Sequence, residues 1–159
     1  MRNRILSNKA EIENRIAEAK TRGGFSHDVI IVAVTKYQTI EDTNAAIEVG
    51  LSNIGENYVQ HLKEKDALLL PCKRHFIGHL QTNKVKALLS MKDIALIQSV
   101  DSVKLATEID KYSEKLGRTT EILLQVNPPF QFALRQIKPR RFLQEQRRFG
   151  LPEAIDALL

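Results

Sequence analysis

Much is scarce in this chain of 159 residues. It has a single cysteine, Cys72, so no internal disulfide forms and no CxxC pair offers thiolates to a metal. Cys72 reads as a small buried or neutral thiol. No run of about 18 apolar residues is present, which excludes a membrane-spanning helix. The N-terminal stretch has no apolar core followed by small residues, so it does not read as a secretory signal. Glu11, Glu13 and Glu18 argue against a transit peptide. A cytoplasmic protein is the expectation. What remains is ordinary for a globular chain, 43% hydrophobic and 27% charged, enough for one domain over 1–159.

The net charge is +5, from 24 basic and 19 acidic residues. It is a local feature. Arg135, Lys138, Arg140, Arg141, Arg147 and Arg148 stand in 128–148 with one acid, Glu145, which leaves 18 of each sign elsewhere. Basic residues interleaved with Phe130, Phe132 and Phe142 superficially resemble a nucleic-acid surface. With the rest of the chain neutral, nucleic acid is not expected as a partner.

Hydrophobic periodicity predicts a helix over 2–22, carrying Ile5, Ile12, Ile16 and Ala19 and stopped by Gly23 and Gly24. The continuous β-branched run 29–34 predicts a strand buried on both faces. Further strands are expected at 53–55, 75–77, 96–99 and 121–126, and helices at 40–49, 59–69, 83–89, 102–116 and 151–159. The strands begin near 30, 53, 75, 96 and 121, a regular step of 21 to 25 residues. Such a strand–helix repeat builds a parallel sheet. An open doubly wound sheet usually announces its ligand site by a Gly-rich turn after the first strand. Here that turn is Thr35-Lys36-Tyr37-Gln38, without glycine. The strand ends are instead polar throughout: Thr35-Lys36, Glu56-Asn57, His79 with Gln81 and Asn83, Ser99 with Asp101, Gln125 with Asn127. That pattern favours a TIM-type (β/α)8 barrel, whose strand ends all feed one site. Eight such units need more than about 200 residues, so the expected fold is an incomplete barrel, five parallel strands preceded by a helix.

Lys36 is the leading functional candidate. It follows an apolar strand, so its amine sits at the strand's C-terminal mouth, where desolvation favours the neutral form that reacts with an aldehyde. Equally, its stem can snorkel from a strand end into water. Spacing alone does not decide between the two.

Three motifs do more. Val32-Ala33-Val34-Thr35-Lys36, Gly55-Glu56-Asn57-Tyr58-Val59-Gln60 and the segment His75-Phe76-Ile77-Gly78-His79-Leu80-Gln81-Thr82-Asn83-Lys84 occur in order at successive strand ends. Together they resemble the pyridoxal phosphate homeostasis protein family, which is similar to the N-terminal barrel domain of alanine racemase. The likeness runs to about Asn127 and resumes at Phe149-Gly150-Leu151-Pro152. It implies pyridoxal 5′-phosphate (PLP) as cofactor, held as an aldimine on Lys36, in a non-catalytic protein that keeps the reactive aldehyde low while supplying PLP-dependent apo-enzymes. It also implies Asn57 beside the cofactor ring. The competing role for Asn57 is to cap the next helix. His79 is expected to line the pocket mouth or to support it by hydrogen bonding. Gln81 and Asn83 are expected to organise the turn and cap the following helix. Glu56 and Lys84 read as charges paired with each other or with solvent.

Two departures qualify the resemblance. The family passes from the fifth strand to Phe-Gly-Leu-Pro by a short polar loop, whereas 128–148 is longer and basic. The phosphate grip of this fold, in the loops after strands seven and eight, is expected outside residues 1–159. The chain thus reads as a truncated or divergent PLP binder with impaired affinity, and its open barrel edges invite self-association. The alternative is a PLP-dependent amino-acid racemase. That needs acid and base groups on both faces of the substrate carbon, and only Tyr37 joins Lys36 at a strand end.

Overall fold

The computed structural model describes residues 2–125. Asn127, the basic segment 128–148 and the helix expected over 151–159 lie outside the described residues. The elements in order are α1 (Arg2–Gly23), β1 (Ala33–Val34), α2 (Ile40–Glu48), β2 (Asn53–Glu56), α3 (Val59–Lys65), β3 (Lys73–Phe76), α4 (Val85–Leu89), β4 (Ile94–Val100), α5 (Val103–Lys115) and β5 (Ile122–Leu124). Short 3-10 turns follow α3 and precede α4. The five strands are parallel and lie in one sheet in chain order, β1-β2-β3-β4-β5. This is the α/β repeat expected for the first units of a (β/α)8 barrel. The described residues divide into two compact units, the first ending at His75 and the second beginning at Phe76.

In the first unit, α2 begins where Thr39 accepts the Asp42 N–H on its side chain at 3.1 Å. This satisfies one of the helix's orphan donors, and Glu41 and Asp42 complement the dipole. The helix ends at Gly50, whose φ of +91° is a conformation that glycine adopts without steric cost. Thr43 and Ala46 face inward from α2, and Val59 and Leu62 from α3, with Ile54 of β2 among the buried residues. Burying a side chain such as Ile54 or Leu62 contributes roughly 1.5–3 kcal/mol. Cys72 is buried as expected. The helix α1 buries none of its residues, and its Ile12 is exposed. It carries Lys9–Glu13 and Arg22–Glu18 pairs one turn apart, and it meets α2, where Arg2 pairs with Glu48.

One expectation is corrected here. The apolar run 29–34 is not a strand buried on both faces. Only Ala33 and Val34 pair, with Ile54 and Gly55 of β2, while Val29, Ile30 and Val34 are 48%, 66% and 52% exposed. At the end of the strand order, β1 has one pairing neighbour among the described residues, so β-branched side chains alone do not bury it. The strand β3 also starts two residues earlier than expected, at Lys73.

In the second unit, α5 starts at Ser102, whose side chain accepts the Leu105 N–H. It stops in a Schellman turn: Gly117, at φ +62°, donates to the Glu114 carbonyl and Arg118 to that of Ser113. Its inner stripe is Leu105, Ala106, Ile109 and Ser113, the spacing of one helix face, and α5 packs against α4 with Leu88 and Leu89 buried. The Arg118 guanidinium reaches the carbonyls of Leu89, the last residue of α4, and of Met91 just beyond it.

Candidate functional site

Lys36 lies in a turn immediately after β1. The turn is closed by the Gln38 N–H donating to the Thr35 carbonyl at 3.1 Å. Tyr37 occupies its third position at φ +65°, the left-handed conformation that a glycine would hold more cheaply. Thr35 is buried and its N–H donates to the Gly55 carbonyl at 2.9 Å, which locks the start of the turn to β2. Lys36 itself is half-buried. Because Val34 pairs with Gly55, Lys36 and Asn57 each stand two residues beyond one register position. The paired strands thus bring these two predicted site residues to the same end of the first unit.

Asn57 does not cap α3. That helix starts at Tyr58 without a side-chain cap, and the Asn57 backbone N–H donates to Glu56 Oε1 at 2.9 Å. Its side-chain amide has no hydrogen-bonding partner among the described residues and is free to meet a ligand.

Glu56 differs from the expectation. It is 1% exposed, and its partner is Lys65 at 3.2 Å, not Lys84. A carboxylate buried at the end of an apolar strand needs a cation within reach, and the last turn of α3 supplies one. Lys65 Nζ also donates to the Thr35 carbonyl at 3.1 Å. Sequence reading missed Lys65, which is nine residues from Glu56 and has no local motif. The available signal was the acid itself in Asn53-Ile54-Gly55-Glu56.

Around Lys36 the surface is aromatic. The Tyr37 and Tyr58 hydroxyls lie 3.2 Å apart, and His61 stands against both rings. The hydrogen bond to Tyr58, with the Tyr58 charge next, raises the Tyr37 pKa above the ordinary tyrosine value.

His79 belongs to the second unit and follows β3. It is exposed, with its Nδ1 3.5 Å from Asp101 Oδ2. The Ser99 hydroxyl donates to the Gly78 carbonyl, which anchors the backbone one residue before it. Gln81 and Asn83 give α4 no side-chain cap, but they form the turn before it: Asn83 lies in a 3-10 turn closed by the Lys84 N–H on the Gln81 carbonyl at 2.9 Å. Among the described residues no group of three or more His, Cys, Asp or Glu could hold a metal, and no helix is long and apolar enough to cross a membrane.

No family model matches the chain. The pyridoxal phosphate homeostasis protein of Helicobacter pylori is 41% identical over 132 residues, 82% of this chain and 59% of that protein. The chain is a homologue of the pyridoxal phosphate homeostasis proteins. It spans little more than half the length of this curated relative. Among solved structures, an unknown protein from Bifidobacterium adolescentis matches with a TM-score of 0.67 at 31% identity, over 79% of this chain and 56% of that one. PipY of Synechococcus elongatus, solved with PLP bound, matches with a TM-score of 0.60 at 32% identity, over 70% of this chain and 53% of PipY. The likeness to known proteins is therefore wider than the three strand-end motifs and covers 70% to 82% of this chain.

Proposed function

We propose that this chain is a non-catalytic, cytoplasmic PLP-binding protein of intracellular PLP homeostasis, with Lys36 as the residue that attaches the cofactor. The observation that carries the reading is that Lys36 and Asn57 each stand two residues beyond the paired Val34 and Gly55, at the same end of β1 and β2. It offers an amine at a strand mouth beside an amide that no described residue engages. These groups fit the cofactor chemically. Bound PLP would supply an electrophilic aldehyde next to a phenolic oxygen that accepts hydrogen bonds. Lys36 would hold it through its amine, with the aldehyde oxygen leaving as water, and the Asn57 amide would be the donor for the phenolic oxygen. The bound PLP in PipY supports the same ligand for this homologue. The single buried Cys72 is compatible with a reducing compartment.

A binder is favoured over a racemase by Tyr37. Its hydroxyl is engaged with Tyr58 and holds its proton more tightly than an ordinary tyrosine, the wrong direction for a base. The reading also includes delivery of PLP to dependent apo-enzymes, and self-association through the exposed residues Val29, Ile30 and Val34.

The test is reduction with borohydride after adding PLP, followed by peptide mapping. The reading expects the label on 32–38, lost in Lys36→Ala. Label spread evenly over the other lysines would overturn it. Loss of optical rotation from L-alanine in the presence of PLP, abolished by the same substitution, would replace the binder with the racemase.

A further inference from the structure

Resting on Lys36 as the attachment residue, we infer that Glu56 and Lys65 are positioning residues that hold Lys36 and Asn57 in mutual register. Four hydrogen bonds form one connected path. Glu56 Oε1 accepts the Asn57 backbone N–H at 2.9 Å, and Glu56 Oε2 accepts from Lys65 Nζ at 3.2 Å. Lys65 Nζ donates in addition to the Thr35 carbonyl at 3.1 Å. That same carbonyl accepts the Gln38 N–H that closes the turn around Lys36. The path starts at the backbone of Asn57 and ends at the turn that presents Lys36.

Burial makes the path stiff. Glu56 is 1% exposed and the Lys65 side chain 13%, so water competes poorly for these bonds. The pair is also economical in position. β2 delivers Glu56 at its last residue, and Lys65 is the last residue of α3. α3 therefore returns a cation to the strand end from which it departed. Neither side chain is required to touch a ligand. What they control is the separation between an amine on one strand end and an amide on the next. A reaction at the amine depends steeply on such placement. The turn around Lys36 needs the support because it holds a non-glycine residue, Tyr37, at φ +65°. Such a conformation persists only where its surroundings hold it.

The experiment uses the full chain and three variants. Glu56→Gln with Lys65→Met removes both charges together, so no uncompensated charge remains buried. Lys65→Arg keeps a cation with several donors. Glu56→Gln alone keeps an acceptor of similar shape. Two quantities are read: amide hydrogen exchange at Gln38 and Asn57 without PLP, and the share of borohydride-trapped PLP on Lys36 relative to the other lysines. In the double variant we expect exchange at Gln38 and Asn57 to accelerate about tenfold or more, the effect of losing a hydrogen bond to a charged group. Exchange at Leu105, Ala106 and Ile109 of α5 should not change, which separates loss of the path from unfolding. The Lys36 share of the label should fall by a similar factor, and Lys65→Arg should restore both quantities. Unchanged exchange at Gln38 and Asn57 in the double variant overturns the inference. So does an unchanged Lys36 share in a wild-type chain that labels there. If the wild-type chain does not label Lys36 at all, the attachment reading fails by itself, and the exchange result still decides whether the path exists.

Discussion

His75 Nε2 lies 3.1 Å from Asn53 Oδ1, so an imidazole of β3 is hydrogen-bonded to the first residue of β2 inside the first unit. His75 is 5% exposed. Burial first, and the charge of Lys73 second, lower its pKa below the ordinary histidine value. The unfolded chain therefore binds the proton more readily than the folded one. Stability is fully present above the unfolded-state value and declines as pH falls below about 6.5 toward the folded value. Urea midpoints measured at neutral and mildly acidic pH should fall on acidification. In His75→Gln, which keeps a donor for Asn53 but does not titrate, that fall should be smaller. An identical pH dependence in the two proteins would remove His75 as its source.

The Glu56–Lys65 pair makes a stability prediction independent of any ligand. Lys65→Met leaves the Glu56 carboxylate buried without its cation and should destabilise by about 3–5 kcal/mol. Adding Glu56→Gln should recover most of that loss, because no charge is then stranded. Denaturant unfolding of the two variants checks the order. A double variant as unstable as the single one would mean that the pair is not the buried unit its geometry indicates.

Gly117 isolates a backbone effect. At φ +62° it ends α5, and nothing stands within 4 Å of where a Cβ would be. Gly117→Ala therefore introduces no clash with other elements. It should cost about 1–2 kcal/mol through the left-handed conformation alone. Thermal unfolding should register the loss, and far-UV circular dichroism at low temperature should show unchanged helix content.

Arg118 completes the end of α4 from a distance of more than twenty residues in sequence. Its guanidinium gives donors to the Leu89 and Met91 carbonyls, which a helix five residues long leaves exposed to competition with water. Arg118→Met should lower stability by about 1–2 kcal/mol. Amide exchange should rise at Leu89, Ser90 and Met91 before it rises in α5. Equal protection in variant and wild type would assign Arg118 no capping role.

The order of elements, the polar strand ends and the candidacy of Lys36 were legible in the sequence by itself. They depend on local signals: a β-branched run, helical spacing, and glycines such as Gly50 and Gly117 where helices stop. The three motifs also carried the kinship that the homologues bear out. What tertiary structure decided was which groups meet. It shortened β1 to Ala33–Val34, because burial of Val29 and Ile30 depends on neighbours that a periodicity does not contain. It gave Glu56 to Lys65 in preference to Lys84, because the direction of α3, and not the charge pattern, determines which cation returns to the end of β2. It relieved Asn57 of a capping role by starting α3 at Tyr58. Sequence spacing states which residues share an element; only the packing of β2 against α3 states which carboxylate faces which amine.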